Sequence, residues 1–208
     1  MKRPVIVLGG GGHAKVLIDT LHIQSVEVLG ITDPDPGKTK ESLLGVPFIG
    51  DDDIILGYSP DEILLVNGLG TTRITPSRKQ LFLKFKKSGY CFANVIHPSA
   101  VISSYARLGE GVQVMAGAII QTESFIGDNT IVNTKVSIDH DCQIDPHVHL
   151  APGVTLSGEV HVGEGAHIGT GAVVIQGIQI GKESLVAAGA VVIKDVPKGA
   201  MVRGVPAL

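Results

Sequence analysis

Five of the eight histidines, His140, His147, His149, His161 and His167, fall close together in the second half of a 208-residue chain. Imidazole titrates near neutrality and is well suited to taking up and returning a proton at physiological pH. His140 lies between Asp139 and Asp141, with Cys142 next in line. Three chemistries are open to such a set: proton transfer by a carboxylate-supported imidazole, metal binding by clustered histidines, and covalent catalysis by a thiol. Zinc finds little support, because there is no H-x-x-x-H pair on a helix and no cysteine cluster. A solvated column of histidines is the plainer reading of His147, His149, His161 and His167. A buried Cys142 would act as a packing residue rather than a nucleophile.

A different chemistry is offered at the start. Residues 4–19 read as a buried strand, a glycine turn and a helix beginning near His13. Such a turn presents main-chain N–H groups and a helix N-terminus to an anion. A second strand, Val26 to Thr32, leads to Asp33, about twenty residues past the glycines, where Rossmann-type folds carry a ribose-binding acid. Lys15 replaces the third glycine of the dinucleotide fingerprint, and strands can be counted only near positions 5, 28 and 64. That is too little for a complete dinucleotide domain. A nucleotide linked to a sugar suits the smaller pocket, with its diphosphate at Gly11 and Gly12; the bland alternative is a glycine turn that merely packs tightly. A further buried strand from Ile63 leads into a helix over 72–88, with Arg73 in its first turn and Gly89 as its stop.

These residues need elements to position them, and the second half supplies a repeat. Every sixth residue from Ile96 to Val192 is Ile, Leu or Val, at seventeen positions without a gap. The residue four places after each is small or branched, from Ala100 through Cys142 to Val196. Glycine often follows the aliphatic directly, as at Gly109, Gly127, Gly163, Gly169 and Gly181, where a corner would need a permissive backbone. Neither the helical period of 3.6 nor a strict alternation fits. The pattern is that of a solenoid of short stacked strands, each burying its aliphatic against the next.

Composition agrees. The chain has 27 Gly, no Trp, 4% aromatics and only 18% charged residues, a turn-rich aliphatic make-up. A net charge of −3 gives no basic face for nucleic acid. No segment approaches the roughly 20 apolar residues of a membrane helix. The apolar run after Arg3 stops at the glycines, too short for a signal peptide, and two cysteines make no disulfide framework. A reduced, cytoplasmic protein is expected.

The stretches Tyr105–Val112 and Val162–Val173 resemble the hexapeptide-repeat acyltransferases. The stretch Asn133–Gly153 narrows the likeness to the sugar acyltransferases that include sialic acid O-acetyltransferases and N-acetyltransferases of nucleotide-linked 4-amino sugars. The likeness runs through the whole chain: Gly-Gly-Gly-His at 10–13, Gly68 and Arg73, Ile96–Ala100, His140-Asp-Cys, and Gly204–Ala207. It implies an α/β half-Rossmann domain (1–93) that binds a nucleotide sugar, followed by an all-β left-handed parallel β-helix (94–208). It also implies a homotrimer with acetyl-coenzyme A between subunits; from the residues themselves no metal is expected. By that resemblance His140 is the general base, Asp141 raises its basicity and His149 faces the thioester carbonyl. Coenzyme A positions match at His149, Gly158, Thr170, Ala187 and Ala188, and nucleotide-sugar positions at Gly11, Gly12, His13, Asp33 and Gly68. Pro34 stands where relatives often carry a second acid.

With 18 residues per coil, Gly158 stacks on His140 and leaves a notch beside the ring, while Glu123, Asp141 and Glu159 form one acidic column about 4.8 Å apart. Like charges so close would raise the pKa of those carboxyls and of an adjacent imidazole. The expected activity is acetyl transfer from acetyl-coenzyme A to the amine of a nucleotide-linked 4-amino-4,6-dideoxy sugar. Acetylation of a sugar hydroxyl is the alternative enzyme, and a non-catalytic nucleotide-sugar-binding solenoid the alternative without chemistry.

Overall fold

The computed structural model describes residues 3–35, 42–71 and 76–208. They form two compact units, the first drawn from Met1–Thr71 and Pro76–Pro98 and the second from Ser99–Leu208.

In the first unit β1 (Val5–Leu8), four consecutive buried residues, leads through the glycines into α1 (Gly12–Ile23). Ala14, Leu17, Ile18 and Leu21, at helical spacing, make the buried face of α1. β2 (Val28–Thr32) and β5 (Leu64–Asn67) flank β1, both parallel to it. Two strands beyond the three expected complete the sheet: β3 (Ser42–Leu43) and β4 (Val46–Gly50), in the order β3-β4-β2-β1-β5. β4 escapes a reading by apolar runs because it is only partly buried and carries Pro47. β3 and β4 are antiparallel about a turn whose Leu44 and Gly45 both have positive φ. α2 (Ser77–Lys87) buries Phe82 and Phe85 in a cluster with Ile6, Leu8, Leu65 and Phe92, and the chain leaves it through Gly89 at φ +88°. Arg73, expected in the first turn, lies outside the described residues.

The second unit is a parallel β-solenoid, as the six-residue spacing requires. Each strand is two residues long and ends on the periodic aliphatic, which faces inward. The repeat along each wall is 18 residues: Ile120 pairs with Ile138, Ile138 with Leu156 and Leu156 with Val174. The small residues at the other inward position, Val136, Cys142, Val148 and Ala166 among them, are likewise buried.

The corners differ from expectation in one respect. The glycines directly after the aliphatics do not take positive φ; that conformation falls two residues later. One corner column is Glu123, Asp141, Glu159 and Gly177, and another Gly111, Asn129, His147, Gly165 and Glu183, with φ between 56° and 76°. From Asp141 and Asn129 onward the amides of these corner residues bond to the coil before, as Asp141 N to Thr122 O (3.1 Å) and Glu159 N to His140 O (2.9 Å). The glycines after the aliphatics serve close approach instead. A Cβ at Gly127 would lie 2.5 Å from Pro146 N and 2.6 Å from Asp145 C, backbone atoms of the next coil.

The final coil is shorter by two residues, since Val202 pairs with Val186 and Val196 with Ile180. The tail then doubles back: Ala207 N donates to Val191 O (2.8 Å) and Val191 N to Gly204 O (3.0 Å). No helix among the described residues is long and apolar enough to cross a membrane.

Gly127→Ala should therefore lower unfolding stability by about 1–3 kcal/mol, the usual cost of overpacking. Gly171→Ala, where φ is +68° but no neighbour lies within 4 Å, should cost about 1 kcal/mol of backbone strain. Equilibrium denaturant unfolding of the two variants measures the difference.

Candidate functional site

His140 follows the strand Ser137–Ile138 and stands at the corner immediately before Asp141. Its main-chain N–H donates to Asp139 Oδ1 (2.8 Å), and its Nδ1 lies 2.7 Å from Asp141 Oδ2. An ionised carboxylate only accepts, so Nδ1 carries the proton and Nε2 is left with a lone pair. The bond to Asp141 holds the imidazole above its ordinary pKa; desolvation opposes it, and the charges of Asp139, Asp141 and Glu159 add to the rise. The ring is partly exposed, and its outer edge faces Gly158. A Cβ there would lie 2.5 Å from Cε1 and 2.6 Å from Nε2, so any larger residue at 158 would occupy the space beside the acceptor nitrogen. The stacking of Gly158 on His140 inferred from an 18-residue coil is present, and the ring itself lies in the space a side chain at 158 would take.

His149 sits on another wall of the solenoid, in the strand His149–Leu150, with the strand Gln143–Ile144 between it and His140 in the chain. Asn133 fixes its tautomer. The Asn133 side-chain oxygen accepts from Thr134 N (2.8 Å), which turns the amide nitrogen to His149 Nε2 at 3.2 Å. That nitrogen must accept, so Nδ1 bears the ring proton.

His149 pairs in register with His167, their rings edge to face at 4.9 Å between centroids. Both are buried, 8% and 7% exposed, so these two are not the solvated column expected. Burial holds His167 below its ordinary pKa, and its Nδ1 is buried with no hydrogen-bond partner among the described residues. His147 occupies a corner beside Asn129 Nδ2 (3.0 Å), and His161 pairs with Asp145 (3.2 Å) on a third wall. Among the described residues no group of three or more His, Cys, Asp or Glu is arranged to hold a metal ion. Cys142 is buried, donates to Ser157 O (3.2 Å) and has its thiol pushed up to about 11 by burial, which leaves it protonated at neutral pH.

Thr170, Ala187 and Ala188 gather at a different corner. Gly189 N donates to Thr170 O (2.8 Å), and Ala187 and Ala188 stack on Gly169, whose missing Cβ would lie 2.5 Å from Ala188 N. Thr170 and Ala188 are exposed there.

In the first unit the carboxyl ends of β1, β2 and β5 converge, the usual ligand edge of an open α/β sheet. Gly11 and Gly12 have nothing within 4 Å of a Cβ position, so the N-terminus of α1 is open to a ligand. Gly10 and Gly68 are packed tightly: a Cβ would meet Phe48 Cε1 at 2.3 Å and Gly9 O at 2.5 Å respectively. His13 lies against Gly70. Asp33 accepts from Gly10 N (2.9 Å) and Asp35 N (3.0 Å), fastening its own loop to the glycine turn. Sequence reading passed over Arg78, buried at the start of α2, which donates to Asn67 O (2.9 Å) and Leu69 O (2.7 Å) and so shapes the loop after β5. Burial lowers its pKa to about 9. Nothing in local sequence marks Arg78 or Asn133, since their partners are set by the fold.

Comparison with known proteins adds to this geometry. Residues 4–84 match the PglD N-terminal domain family. The chain is 42% identical to a substituted form of GDP-perosamine N-acetyl transferase from Caulobacter crescentus, solved in complex with CoA and GDP-perosamine. That likeness covers 100% of this chain and 97% of that one, with a TM-score of 0.92. The acetyltransferase domain of PglB from Neisseria gonorrhoeae, solved in complex with acetyl coenzyme A, is 34% identical over 100% of this chain and 99% of that one, with a TM-score of 0.93. A curated protein of Bacillus subtilis (strain 168), UDP-N-acetylbacillosamine N-acetyltransferase, is 41% identical over 118 residues, 55% of this chain and 52% of that protein. The match thus spans about half the length of the curated relative. The solenoid is the left-handed β-helix of these acetyltransferases.

The electrostatics of His140 can be checked directly. Its titration, followed by NMR of the ring protons, should lie above that of an unperturbed histidine and fall in Asp141→Asn. The His167 midpoint should lie below the ordinary value and stay where it is in that variant.

Proposed function

Because the chain belongs to the hexapeptide-repeat sugar acetyltransferases, we propose that it transfers acetyl from acetyl-coenzyme A to the amine of a nucleotide-linked 4-amino-4,6-dideoxy sugar. The observation that carries this reading is the His140–Asp141 pair, 2.7 Å apart, in a partly exposed ring that packs over Gly158. An imidazole held above its ordinary pKa by a carboxylate, with its other ring nitrogen able to accept a proton, is what an attacking amine requires.

The sugar amine attacks the thioester carbonyl carbon directly, forming a C–N bond, and gives up a proton to His140 Nε2. Asp141 keeps the other ring nitrogen protonated and balances the imidazolium. The C–S bond then breaks, and the departing sulfur takes the proton back from His140, so that amide and free thiol are the products. Charge gathering on the carbonyl oxygen is met by His149 or by a main-chain N–H. Because His140 and His149 occupy different walls of one chain, we place them in a shared site between neighbouring subunits of a homotrimer. The wall that carries the strand before His140 supports that packing: its outward Val101, Ile119 and Val173 are 64%, 36% and 37% exposed. Pantetheine would follow Gly158, Thr170, Ala187 and Ala188. The first unit would hold the nucleotide, with the diphosphate at Gly11 and Gly12 and with His13, Asp33 and Gly68 shaping its cleft. Coenzyme and nucleotide sugar are both cytoplasmic metabolites, and we place the reaction there.

A thiol-release assay with acetyl-coenzyme A should respond to nucleotide-linked 4-amino sugars. Release with hydroxyl sugars alone would replace this reading with O-acetylation, and release with neither would favour a binding module. His140→Ala should lower turnover by about 10²–10⁴-fold, the usual worth of a general base, while coenzyme A binding persists. Undiminished turnover would remove His140 from the mechanism. Asp141→Asn should move the acid limb of the kcat/KM profile to lower pH, since it is Asp141 that holds the His140 pKa up.

A further inference from the structure

The corners of the solenoid are four-residue turns, and several of them close on themselves. In these the amide of the inward small residue donates to the carbonyl three residues before it, as Val136 N to Asn133 O (3.2 Å), Val154 N to Ala151 O (3.3 Å), Ala172 N to Gly169 O (3.1 Å) and Ala190 N to Ala187 O (3.2 Å). The turn 139–142, whose two central residues are His140 and Asp141, is built differently. Cys142 N donates to Ser124 Oγ (3.1 Å), and Ser124 Oγ donates to Asp139 O (2.7 Å). A hydroxyl from the coil before thus stands between two atoms whose counterparts meet directly at the other turns.

Ser124 is fully buried, in the inward column that carries Ala106 one coil before, Cys142 one coil on and Val160 beyond it. Alanine and valine serve in the same column, so packing alone does not call for a hydroxyl, and a buried hydroxyl is costly unless it is bonded. Here both of its capacities are used, since the oxygen accepts from one end of the turn and the proton goes to the other. The arrangement continues one coil on, where Cys142 Sγ donates to Ser157 O (3.2 Å), the first residue of the turn that carries Gly158. His140 and Gly158, which pack against each other, are therefore both held from this one internal column.

We propose that Ser124 is a positioning residue for the reaction: by holding the turn 139–142 open at both ends, it sets the His140 ring against Asp141 and over Gly158. The proposal rests on the reading of His140 as the base. Without the hydroxyl, Asp139 O and Cys142 N can close on each other as their counterparts do elsewhere, and His140 and Asp141, which lie between them, must shift. The chain supplies its own control. Thr130 Oγ1 is inserted in the same way into the turn 145–148, accepting from Val148 N (3.2 Å) and donating to Asp145 O (3.1 Å). The central residues of that turn are Pro146 and His147, which take no part in the proposed reaction.

The test is steady-state kinetics of the full chain with acetyl-coenzyme A and a nucleotide-linked 4-amino sugar, paired with NMR titration of the histidine rings. Ser124→Ala should lower kcat by about 10–100-fold, the scale of a catalytic group misplaced by about 1 Å, while both KM values stay within about twofold. The His140 midpoint should fall toward that of an unperturbed histidine as the bond to Asp141 loosens, and that of His167 should stay where it is. Ser124→Cys, which keeps a donor of the kind Cys142 offers one coil on, should restore most of kcat and of the midpoint. Thr130→Ala should leave both readouts unchanged. Should Ser124→Ala fail to fold, Ser124→Val, the residue this column carries at position 160, stands in for it with the same losses expected. A hydroxyl-free variant with unchanged kcat and His140 midpoint overturns the proposal. So does an equal loss in Thr130→Ala, which would make the effect one of general stability, or a Ser124→Cys variant no better than Ser124→Ala. If the unsubstituted chain transfers no acetyl group, the functional reading falls, and the His140 midpoint in the hydroxyl-free variant still decides whether Ser124 positions the ring.

Discussion

The parallel stacking of one coil on the next, in a fixed 18-residue register, is the constraint from which the catalytic half of the molecule follows. A strand of two residues cannot hold itself together, and each aliphatic is shielded from water chiefly by its counterparts one coil above and below. The register is enforced at the corners as well as on the walls, because the amides of Asn129, Asp141, His147, Glu159, Gly165, Gly177 and Glu183 each bond to a carbonyl of the preceding coil. A residue at one corner therefore has a determined neighbour 18 positions on. Gly158 lies against the His140 ring for this reason, and Glu159 N holds His140 O. Placement of the His140 ring is a property of the whole stack and not of a flexible loop.

The same scaffold tunes imidazoles in opposite directions. At a corner, water and carboxylates surround His140 and its charged form is favoured; on a wall, His167 is packed under other side chains and its neutral form is favoured. Proton transfer needs the first environment, and a fixed hydrogen-bonding ring such as His149 needs the second. Asn133 contributes to that fixity from the preceding coil by reading out a single tautomer of His149.

What could be read from the sequence divides along physical lines. The solenoid was legible because one inward position per six residues leaves an uninterrupted aliphatic signal, and once the coil length was assumed the neighbour of His140 followed by addition. The hairpin β3–β4 was not legible, since a half-buried strand containing Pro47 carries no strong apolar pattern. The burial of His149 and His167 was missed because outward positions on a wall are solvated or covered according to the rest of the fold. The glycines after the aliphatics were correctly picked out but for another reason than backbone freedom: Gly127 and Gly169 have no room for a side chain against the next coil. Arg78 and Asn133 act through partners that only tertiary structure brings near.

A stack of parallel rungs ends in unsatisfied amides and carbonyls, and such an edge invites another molecule to continue it. In this chain the shortened final coil and the doubled-back tail occupy that edge, with Ala207 and Gly204 taking the hydrogen bonds Val191 would otherwise offer to a newcomer. The tail thus covers the edge of the strand Val191–Val192 against the addition of a further rung there.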